Sequence, residues 1–236
     1  MFYCADDNVL VDIVAQTKAD IHQQGYTMPQ HLVKDGQTYL LPGEIPLQIF
    51  GQHNLLNLHA ARLVCEQLGI TPHDFNLAIS SFAGAAKRLE LVDKVNQTNI
   101  YKDFAHSPSK LKATISAVKN QYPTRRLVAM MELHTFSSLN KDFLKEYYGA
   151  MQEADLAVVY IDAKTLEQKK MAPLAKELVV EAFGRADLHY FTEPKKLYDF
   201  LTSINYWNCN LLLMSSGTYA GLDLANLSSQ LKTNEQ

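Results

Sequence analysis

Cysteine is scarce in this chain, and the few cysteines present are not arranged to build a disulfide framework or a zinc site. The 236 residues contain three cysteines, Cys4, Cys65 and Cys209, which lie far apart along the sequence. Neither a Cys-x-x-Cys pair nor the cysteine–histidine spacing of a metal ligand set occurs. We therefore expect reduced thiols in a cytoplasmic protein and no metal ligands among its own side chains.

Long apolar runs and an excess of positive charge are missing as well. No stretch reaches the roughly 18 apolar residues of a membrane span, and the N-terminus lacks the basic region of a signal peptide. The formal net charge of −3 argues against a nucleic-acid or membrane partner. Lys110, Lys112 and Lys119 have helical spacing, but a solvated helix face explains them better than a binding patch.

The two common nucleotide-binding fingerprints are also absent. The sequence contains neither a G-x-x-x-x-G-K-[ST] phosphate loop nor a G-x-G-x-x-G turn. If the chain takes part in nucleotide chemistry, another segment has to cradle the phosphates. Because the residues after Met1 are typical of a strand that is entered midway, we expect the chain to be part of a longer polypeptide.

The overall composition is that of an ordinary globular protein, with 47% hydrophobic and 20% charged residues. In the first part of the chain, apolar spacing predicts helices over residues 8–16, 51–68 and 71–82. An Asp-Gly pair at residues 35–36 predicts a hairpin turn between extended runs. Residues 45–50 are typical of an edge strand, because their proline cannot donate a ladder hydrogen bond.

From residue 88 onward the pattern changes to strands that alternate with helices. Continuous apolar runs are typical of strands buried on both faces, and their alternation with helices predicts an α/β fold with a doubly wound, mainly parallel sheet. We place a domain boundary near residues 82–86 and a polar tail after residue 228. The predicted strands cover residues 88–95, 99–104, 126–133, 156–161, 188–191 and 210–214, and the predicted helices cover residues 108–120, 140–154, 172–183 and 194–204.

Polar side chains follow two neighbouring predicted strands of this sheet. Ligands of open α/β sheets bind outside the carboxyl ends of the strands. A carboxylate and a histidine occur together at each of the two ends, which favours a binding pocket. Turn and helix-cap chemistry is the alternative, above all for the serine that precedes a proline. The first end contains Asp103, His106 and Ser107, and the second contains Glu132, His134, Ser137 and Ser138.

A second candidate site lies on the helix predicted from residue 51. His53, Asn54 and Asn57 share its first turns, and a carboxamide can pair with an adenine edge through one donor and one acceptor. The alternative is that Asn54 caps the helix and His53 is a hinge residue. Arg88, at the proposed domain boundary, offers a fork of donors suited to a phosphate group, with a plain salt bridge as its alternative.

Three stretches of the chain match motifs in a common order and spacing. Residues 51–61 read GQHNLLNLHAA, similar to G-x-H-N-x-x-N-x-x-A-A. Residues 82–90 read FAGAAKRLE, similar to F-x-G-x-x-x-R-x-E, and residues 103–108 read DFAHSP, similar to D-[YF]-A-H-x-P. Together they resemble the Mur ligase family, the ATP-dependent enzymes that build the peptide stem of peptidoglycan. The resemblance covers essentially the whole chain.

Within that family, residues 215–222, SSGTYAGL, resemble the S-N-G-G-F-G-G ending of the murein peptide ligases. These ligases join L-alanyl-γ-D-glutamyl-meso-diaminopimelate to UDP-N-acetylmuramate in cell-wall recycling. Residues 132–138, ELHTFSS, depart from that subgroup's E-P-R-S-N-T and are similar to the P-H-x-[YF]-S-R-T of the L-alanine-adding ligases. The resemblance therefore implies a murein peptide ligase, with a UDP-N-acetylmuramate–L-alanine ligase or a non-catalytic binding module as alternatives.

The resemblance also implies an architecture and a mechanism. Residues 1–82 would be the C-terminal portion of the central ATPase domain, and residues 83–236 the C-terminal Rossmann-like domain, with further domains upstream in the same polypeptide. ATP would phosphorylate the muramyl carboxylate with the help of Mg²⁺, both bound largely by the upstream part, and an amine would attack the acyl phosphate. The fragment alone would be inactive without the phosphate loop.

The same resemblance implies roles for the candidate residues. The nucleotide contacts would come from the helix after residue 51, from Arg88 and from Asp103. Arg88 and His106 would be catalytic, and the two strand ends would bind the acyl-phosphate and amine substrates. The implied adenine contacts are His53, Asn54 and Asn57; the implied substrate contacts are His106, Ser107, His134, Ser137 and Ser138.

Overall fold

The computed structural model describes residues 1–95 and 97–233 and divides into two compact units, residues 1–84 and residues 85–236. Each unit has its own helices and strands. The elements of the first unit are β1 (Phe2–Cys4), α1 (Asn8–Gln16), β2 (Gln24–Tyr26), β3 (His31–Lys34), β4 (Gln37–Leu40), β5 (Ile45–Leu47), α2 (Gln52–Gln67) and α3 (Pro72–Ser81).

Local sequence signals explain the start of the first unit. The Asp7 carboxylate accepts hydrogen bonds from the backbone N–H groups of Val9 and Leu10, at 2.9 and 3.2 Å, and so caps α1. Asp35 and Gly36, with φ angles of 54° and 73°, form the turn between β3 and β4. Positive φ at both positions suits the twist of a two-residue hairpin. The predicted helix and hairpin are therefore confirmed.

The rest of the first unit packs around a small core. β5 lies at the edge of a three-stranded antiparallel sheet of order β3-β4-β5, as its proline predicts, although it ends at Leu47 rather than at residue 50. Thr71 caps α3 by accepting a hydrogen bond from the Asp74 N–H at 3.2 Å. The core brings the antiparallel sheet together with α2 and α3. Its buried residues are Leu40, Leu47, Ile49, Leu55, Leu58 and Phe75.

The second unit is built on a six-stranded sheet of order β10-β9-β8-β11-β7-β6, parallel throughout except for β6. The predicted α/β fold with a mainly parallel sheet is therefore confirmed. Its elements are β6 (Glu90–Val95), β7 (Thr98–Asp103), α4 (Pro108–Gln121), β8 (Arg126–Glu132), α5 (Lys141–Leu144), β9 (Leu156–Tyr160), α6 (Ala163–Gln168), α7 (Lys176–Phe183), β10 (His189–Phe191), α8 (Pro194–Ser203), β11 (Cys209–Met214) and α9 (Leu224–Thr233).

Helices cover both faces of this sheet. On one face, alternate residues of β8, β9 and β11 form a buried cluster with Leu197 of α8 and with Leu227 and Leu231 of α9. Because side chains alternate along a strand, the other buried strand residues, such as Ala129 and Met131, belong to the opposite face, where α4 contacts β8 and β11. Burial on both faces explains why these strands are apolar throughout.

The helix predicted over residues 140–154 is wrong in its length. Helix α5 ends at Leu144, a single 3₁₀ turn follows, and the chain then continues in turns. The Tyr147 ring is fully buried and stacks on Phe183 with ring centroids 5.1 Å apart. Gly149, at a φ of 71°, then takes the chain in another direction. Packing of one aromatic ring thus overrides the local helical preference.

Two further expectations need correction. The helix predicted from residue 172 begins at Lys176, because the carbonyl of buried Leu174 instead accepts the Tyr190 hydroxyl at 2.9 Å. The polar tail predicted after residue 228 continues as α9 to Thr233, with Leu231 buried, while residues 234–236 lie outside the described residues. Helix α6 was not predicted, although Asp162 caps it through the Thr165 N–H at 3.1 Å.

Candidate functional site

Three strand ends lie side by side at the carboxyl edge of the sheet in the second unit. β11 is inserted between β7 and β8, and Met214 pairs in register with Asp103 on one side and with Met131 on the other. Glu132 and Ser215 each follow one residue later. Since the strand order reverses here, this edge is a topological switch point, where ligands of α/β sheets bind.

The first end is dominated by a buried carboxylate. Asp103 is 4% exposed. One of its oxygens accepts the Leu89 N–H at 2.7 Å, and the other accepts the Ala105 N–H at 2.6 Å and the Thr114 hydroxyl at 3.4 Å. Because both oxygens accept hydrogen bonds within the protein, Asp103 ties the turn before β6 to the end of β7 and to the middle of α4.

Arg88 lies in that turn, and its neighbours have unusual backbone angles. Lys87 and Leu89 adopt φ angles of 57° and 45°, in the left-handed region. The Phe104 N–H donates to the Lys87 carbonyl at 2.8 Å, which adds a second tie to β7. Arg88 itself is exposed. Within residues 1–95 and 97–233, its guanidinium makes no ion pair, so it is available to an anionic ligand.

Glu90 anchors the same turn from the other side. Its carboxylate accepts the Lys87 N–H at 2.7 Å and pairs with Lys102 at 2.8 Å. The hydrogen bond from Lys102, and then the one from the Lys87 backbone, lower the pKa of Glu90 below its usual value. In the R-x-E element, Arg88 is therefore an exposed cation, whereas the Glu90 carboxylate is already bound to Lys87 and Lys102.

The ends of β8 and β11 share a second buried carboxylate. Glu132 is 2% exposed. It accepts a short hydrogen bond from the Ser215 hydroxyl and another from the Tyr219 N–H at 2.9 Å, while Ser215 accepts the Gly217 N–H at 2.7 Å. Burial, and then the charges of Glu132 and Asp103, raise the pKa of the Tyr219 hydroxyl. This network shapes the 215–222 loop.

His134 lies directly against this loop. A Cβ atom added to Gly217 would come within 2.9 Å of the imidazole Cγ and 3.0 Å of Nδ1, so only glycine lets the loop approach the ring this closely. The His134 Nδ1 and the Ser216 hydroxyl oxygen are both buried without a hydrogen-bond partner among the described residues. Buried polar atoms in this state favour a bound polar group, since leaving them unpaired is unfavourable.

The other predicted residues of the β8 loop differ in exposure. Ser138 is buried, and its hydroxyl donates to the Thr135 carbonyl at 3.0 Å, while its N–H donates to the Thr135 hydroxyl at 3.1 Å. Ser137 is exposed and within 3.1 Å of the Thr135 hydroxyl. Ser138 thus closes the turn, and Ser137 faces outward. The roles predicted for both in substrate binding stay predictions.

His106 and Ser107 follow the β7 end. The His106 Nδ1 lies 2.8 Å from the Phe104 carbonyl, and its ring packs edge-on against the Phe104 ring at 5.2 Å. The His106 carbonyl accepts the Tyr147 hydroxyl. Ser107 stands at the N-cap position of α4 but makes no side-chain cap hydrogen bond. The Ser107 hydroxyl therefore does not cap α4 through a hydrogen bond, which was the alternative to a role in substrate binding.

A groove of about 960 Å³ opens beside these loops. It runs between the start of α4, the loop after β8 and helix α5, and the exposed rings of Phe136 and Phe143 form its apolar part. Asp142 and Glu146 carry the charge of its lining, and the Lys169 Nζ lies beside it, 4.0 Å from the centroid of the Phe136 ring. The lining is Ser107, Pro108, Ser109, Phe136, Ser137, Asn140, Asp142, Phe143 and Glu146.

The sequence predicted part of this groove and missed the rest. Ser107 and Ser137 were expected to bind substrate, and both line the groove. The contribution of α5 was missed, although the four-residue spacing of Asp142 and Glu146 on a helix is a usable signal. Gly217 was also missed as a neighbour of His134, because that approach depends on β8 and β11, whose paired residues, such as Met131 and Met214, are 83 positions apart.

The adenine-binding candidates lie in the first unit, on the first turns of α2. The helix begins after Gly51, whose φ of 88° favours glycine. The Asn54 amide donates to the Phe50 carbonyl at 2.9 Å, which leaves its own carbonyl oxygen as an acceptor. Asn57 is exposed and His53 is half-buried. Gly51, and not Asn54, occupies the cap position that we weighed as the alternative.

Two absences hold for the described part of the chain. None of its helices combines the length and the apolar character needed to cross a membrane. No group of three or more His, Cys, Asp or Glu side chains in residues 1–95 and 97–233 is arranged to hold a metal ion.

Comparison with known proteins identifies the family. Residues 87–217, more than half of the chain, match the family described as Mur ligase, glutamate ligase domain. The chain belongs to the Mur ligase family. The match covers β7, β8, β9, β10, β11 and the candidate site at their carboxyl ends, so the resemblance noted from the three motifs is confirmed for the second unit.

Curated Mur ligases are similar over most of the chain. UDP-N-acetylmuramate–L-alanine ligase of Ruthia magnifica subsp. Calyptogena magnifica is 28% identical over 222 residues, covering 91% of this chain and 45% of the relative. The enzyme of the same name from Cutibacterium acnes is 36% identical over 162 residues, covering 67% of this chain and 34% of the relative. The chain spans about half the length of the curated relatives it matches.

Solved Mur ligase structures share the fold. UDP-N-acetylmuramate–alanine ligase of Thermotoga maritima superposes with a TM-score of 0.66 at 17% identity, covering all of this chain and 51% of the other. A murein peptide ligase of Psychrobacter arcticus gives a TM-score of 0.60 at 20% identity, covering 98% of this chain and 51% of the other. At these identities the likeness shows the fold alone.

Proposed function

We propose that this chain is the C-terminal part of an ATP-dependent ligase that joins an amine-bearing substrate to UDP-N-acetylmuramate. Residues 1–82 would then be the end of the central ATPase domain, and residues 83–236 the C-terminal domain that receives the amine. The observation that carries the proposal is the groove between the loops that follow β7 and β8, in a chain whose second unit matches the Mur ligase family.

In this mechanism ATP phosphorylates the muramyl carboxylate, the incoming amine attacks the acyl phosphate, and phosphate leaves the tetrahedral intermediate. Arg88 would stabilise negative charge on the phosphates, because its guanidinium is exposed and has no ion pair among the described residues. Asn57 and the free acceptor of Asn54, together with His53, would contact the adenine. The phosphate loop would be supplied by the upstream part of the polypeptide.

Mg²⁺, which the family resemblance implies, would be bound largely by the upstream part of the polypeptide. Within residues 1–95 and 97–233, no group of three or more His, Cys, Asp or Glu side chains is arranged to hold a metal ion, so no magnesium ligand is assigned to this chain.

The amine would enter the groove beside the β8 loop. Asp142 and Glu146 would attract its positive charge, and Phe136 and Phe143 would pack against its apolar part. His106, Ser107, His134, Ser137 and Ser138 are the proposed substrate contacts, of which Ser107 and Ser137 line the groove directly. His106, which lies next to Ser107, is the proposed catalytic partner of Arg88.

Two amines remain candidates. Residues 215–222 resemble the ending of the murein peptide ligases, which supports the tripeptide L-alanyl-γ-D-glutamyl-meso-diaminopimelate. L-alanine is the second candidate, supported by the name that the curated relatives carry. We propose the tripeptide first, since residues 215–222 belong to this chain itself.

Turnover and calorimetry test the proposal. The isolated 236-residue chain should not hydrolyse ATP in the presence of UDP-N-acetylmuramate and either amine, and ATP turnover by this chain would contradict its role as a fragment. In calorimetric titrations the tripeptide should bind at least tenfold more tightly than L-alanine. Equal or stronger binding of L-alanine would favour the second candidate, and a double variant Asp142→Asn, Glu146→Gln should weaken either ligand.

A further inference from the structure

A lysine from the end of α6 lies over an aromatic ring of the groove. The Nζ atom of Lys169 is 4.0 Å from the centroid of the Phe136 ring, which is 64% exposed and lines the groove. An exposed aromatic face attracts a cation only weakly, because water solvates the same charge. The contact therefore keeps the ammonium group beside the groove without binding it firmly.

The backbone position of Lys169 is set by the sheet and by α6. β9 pairs in parallel with β8, so the loops that follow these two strands leave the sheet at the same edge. Asp162 caps α6 through the Thr165 N–H, and the Lys169 N–H donates to the Thr165 carbonyl at 3.1 Å. Buried Leu166 packs the helix against the rest of the second unit. Lys169 is thus presented to the loop after β8 by an ordered helix end.

The charge of Lys169 is not neutralised by the described part of the protein. No carboxylate within residues 1–95 and 97–233 forms an ion pair with its ammonium group, although the residue is half-buried. The lining of the groove carries the carboxylates of Asp142 and Glu146. The groove and its border therefore offer charges of both signs, which suits a ligand with both an ammonium and a carboxylate group.

We propose that Lys169 is a specificity-determining residue that binds a carboxylate of the amine-bearing substrate. Both candidate amines carry at least one carboxylate, which Asp142 and Glu146 would repel if no cation lay near. When the ligand enters, the ammonium group turns from the Phe136 ring to this carboxylate, because a charge-assisted hydrogen bond is stronger than an exposed cation–π contact. This inference rests on the proposed function, in which the groove receives the amine.

The competing role for Lys169 is structural. A cation over the Phe136 ring could simply fasten the end of α6 to the loop after β8. Loss of the charge would then disturb the loop in the same way whether or not the ligand carries a carboxylate. The two roles therefore differ in whether a substitution of Lys169 discriminates between ligands with and without that group.

Calorimetric titration of the 236-residue chain separates the two roles. The ligands are L-alanyl-γ-D-glutamyl-meso-diaminopimelate and the same tripeptide with its carboxylates converted to carboxamides. Lys169→Met, which retains an unbranched side chain without the charge, should bind the carboxylate form roughly fivefold more weakly than wild type and the carboxamide form within about twofold. Lys169→Arg should restore most of the affinity for the carboxylate form. Equal losses for both ligands in Lys169→Met would overturn the inference in favour of the structural role.

Lys170→Met is the matched control, since it removes the same charge from the neighbouring exposed position. Its affinity for the carboxylate form should stay within about twofold of wild type, because an exposed charge that makes no direct contact is largely screened by salt. A loss as large as that in Lys169→Met would assign the effect to the net charge of the segment and would contradict a specific contact.

The side-chain Cε signal of Lys169 in ¹³C-labelled protein tests the inference separately from the proposed function. It should shift in a saturable way with the tripeptide and also with glutarate, a dicarboxylate that has no amine. A Lys169 signal that ignores both ligands would overturn the inference. If Lys169 responds to glutarate while Ser137 responds to neither the tripeptide nor L-alanine, the carboxylate site is supported and the proposed function fails.

Discussion

The ends of β7 and β8 carry the same chemical group, a buried carboxylate, in two different settings. Asp103 accepts hydrogen bonds from two backbone N–H groups and a hydroxyl, and these bonds form an internal joint between the turn before β6, the end of β7 and α4. Glu132 organises the loop after β11, but the neighbouring His134 Nδ1 and Ser216 hydroxyl have no partner among the described residues. The carboxylate at the β7 end is hydrogen-bonded within the protein, whereas polar atoms beside the β8 end remain able to bind a ligand.

Because of this difference, we expect substitutions at the two strand ends to affect different properties of the protein. Changes at the β7 end should act first on stability and on the Arg88 turn. Changes around His134 that spare Glu132 should act first on ligand binding, since the protein itself does not use those polar atoms.

Asp103→Ala should have the largest effect, a loss of about 2–4 kcal/mol in the free energy of unfolding. The substitution leaves the N–H groups of Leu89 and Ala105 without their charged acceptor in a buried position. Urea unfolding followed by circular dichroism measures the change. A loss below about 1 kcal/mol would show that the hydrogen bonds of Asp103 do not hold the β7 end together.

Gly217→Ala should cost about 1–3 kcal/mol, because the new methyl group overlaps the His134 ring and lies 3.0 Å from a Glu132 carboxylate oxygen. Unlike Asp103→Ala, this change should also shift the His134 imidazole signals. Gly149→Ala is a control for glycine replacement, since its Cβ would meet no atom within 4 Å, although its φ of 71° adds backbone strain. Unchanged His134 signals in Gly217→Ala would contradict the close approach.

Glu90→Gln should alter the acid stability of the Arg88 turn. The pKa of Glu90 is lowered in the folded state, so its stabilising effect is fully present above the unfolded value, about 4.3, and is lost as pH falls through the folded pKa. Lys87 amide exchange, corrected for intrinsic rates, should accelerate below about pH 4 in wild type and be independent of pH there in Glu90→Gln. The same acid acceleration in both proteins would assign it to another group.

Ser216→Ala should have the smallest effect on stability, within about 0.5 kcal/mol, because its buried hydroxyl has no described partner to lose. The matched control is Ser215→Ala, which removes a donor to Glu132 and should cost about 1–3 kcal/mol. If Ser216→Ala were as destabilising as Ser215→Ala, the Ser216 hydroxyl would have a hydrogen-bond partner within the protein. The polar groups at the β8 and β11 ends would then be paired in the same way as those at the β7 end.

Much of the fold could be predicted from the sequence, because its signals are local. The Asp35–Gly36 turn, the Thr71 cap before Pro72 and the continuous apolar strands each depend on a few neighbouring residues. Helix α5 could not be predicted in its true length, since it ends where the Tyr147 ring stacks on Phe183, which is 36 positions away along the chain.

The candidate site was predictable only as a set of strand ends. Asp103, His106 and His134 could be named from their positions after apolar runs. The contacts that give them different roles join residues that are separated along the chain: Asp103 with Leu89, Glu132 with Ser215, and His134 with Gly217. The last two contacts depend on the pairing of β11 with β8, which no local pattern specifies.

The contrast between the two strand ends is tested most directly by titrating the ¹⁵N-labelled chain with L-alanyl-γ-D-glutamyl-meso-diaminopimelate. The imidazole nitrogens of His134 and the amide of Ser137 should shift in a saturable way, while the amides of Leu89 and Ala105 stay unchanged in the same spectra. Saturable shifts at Leu89 and Ala105 with an unmoved His134 would contradict the account.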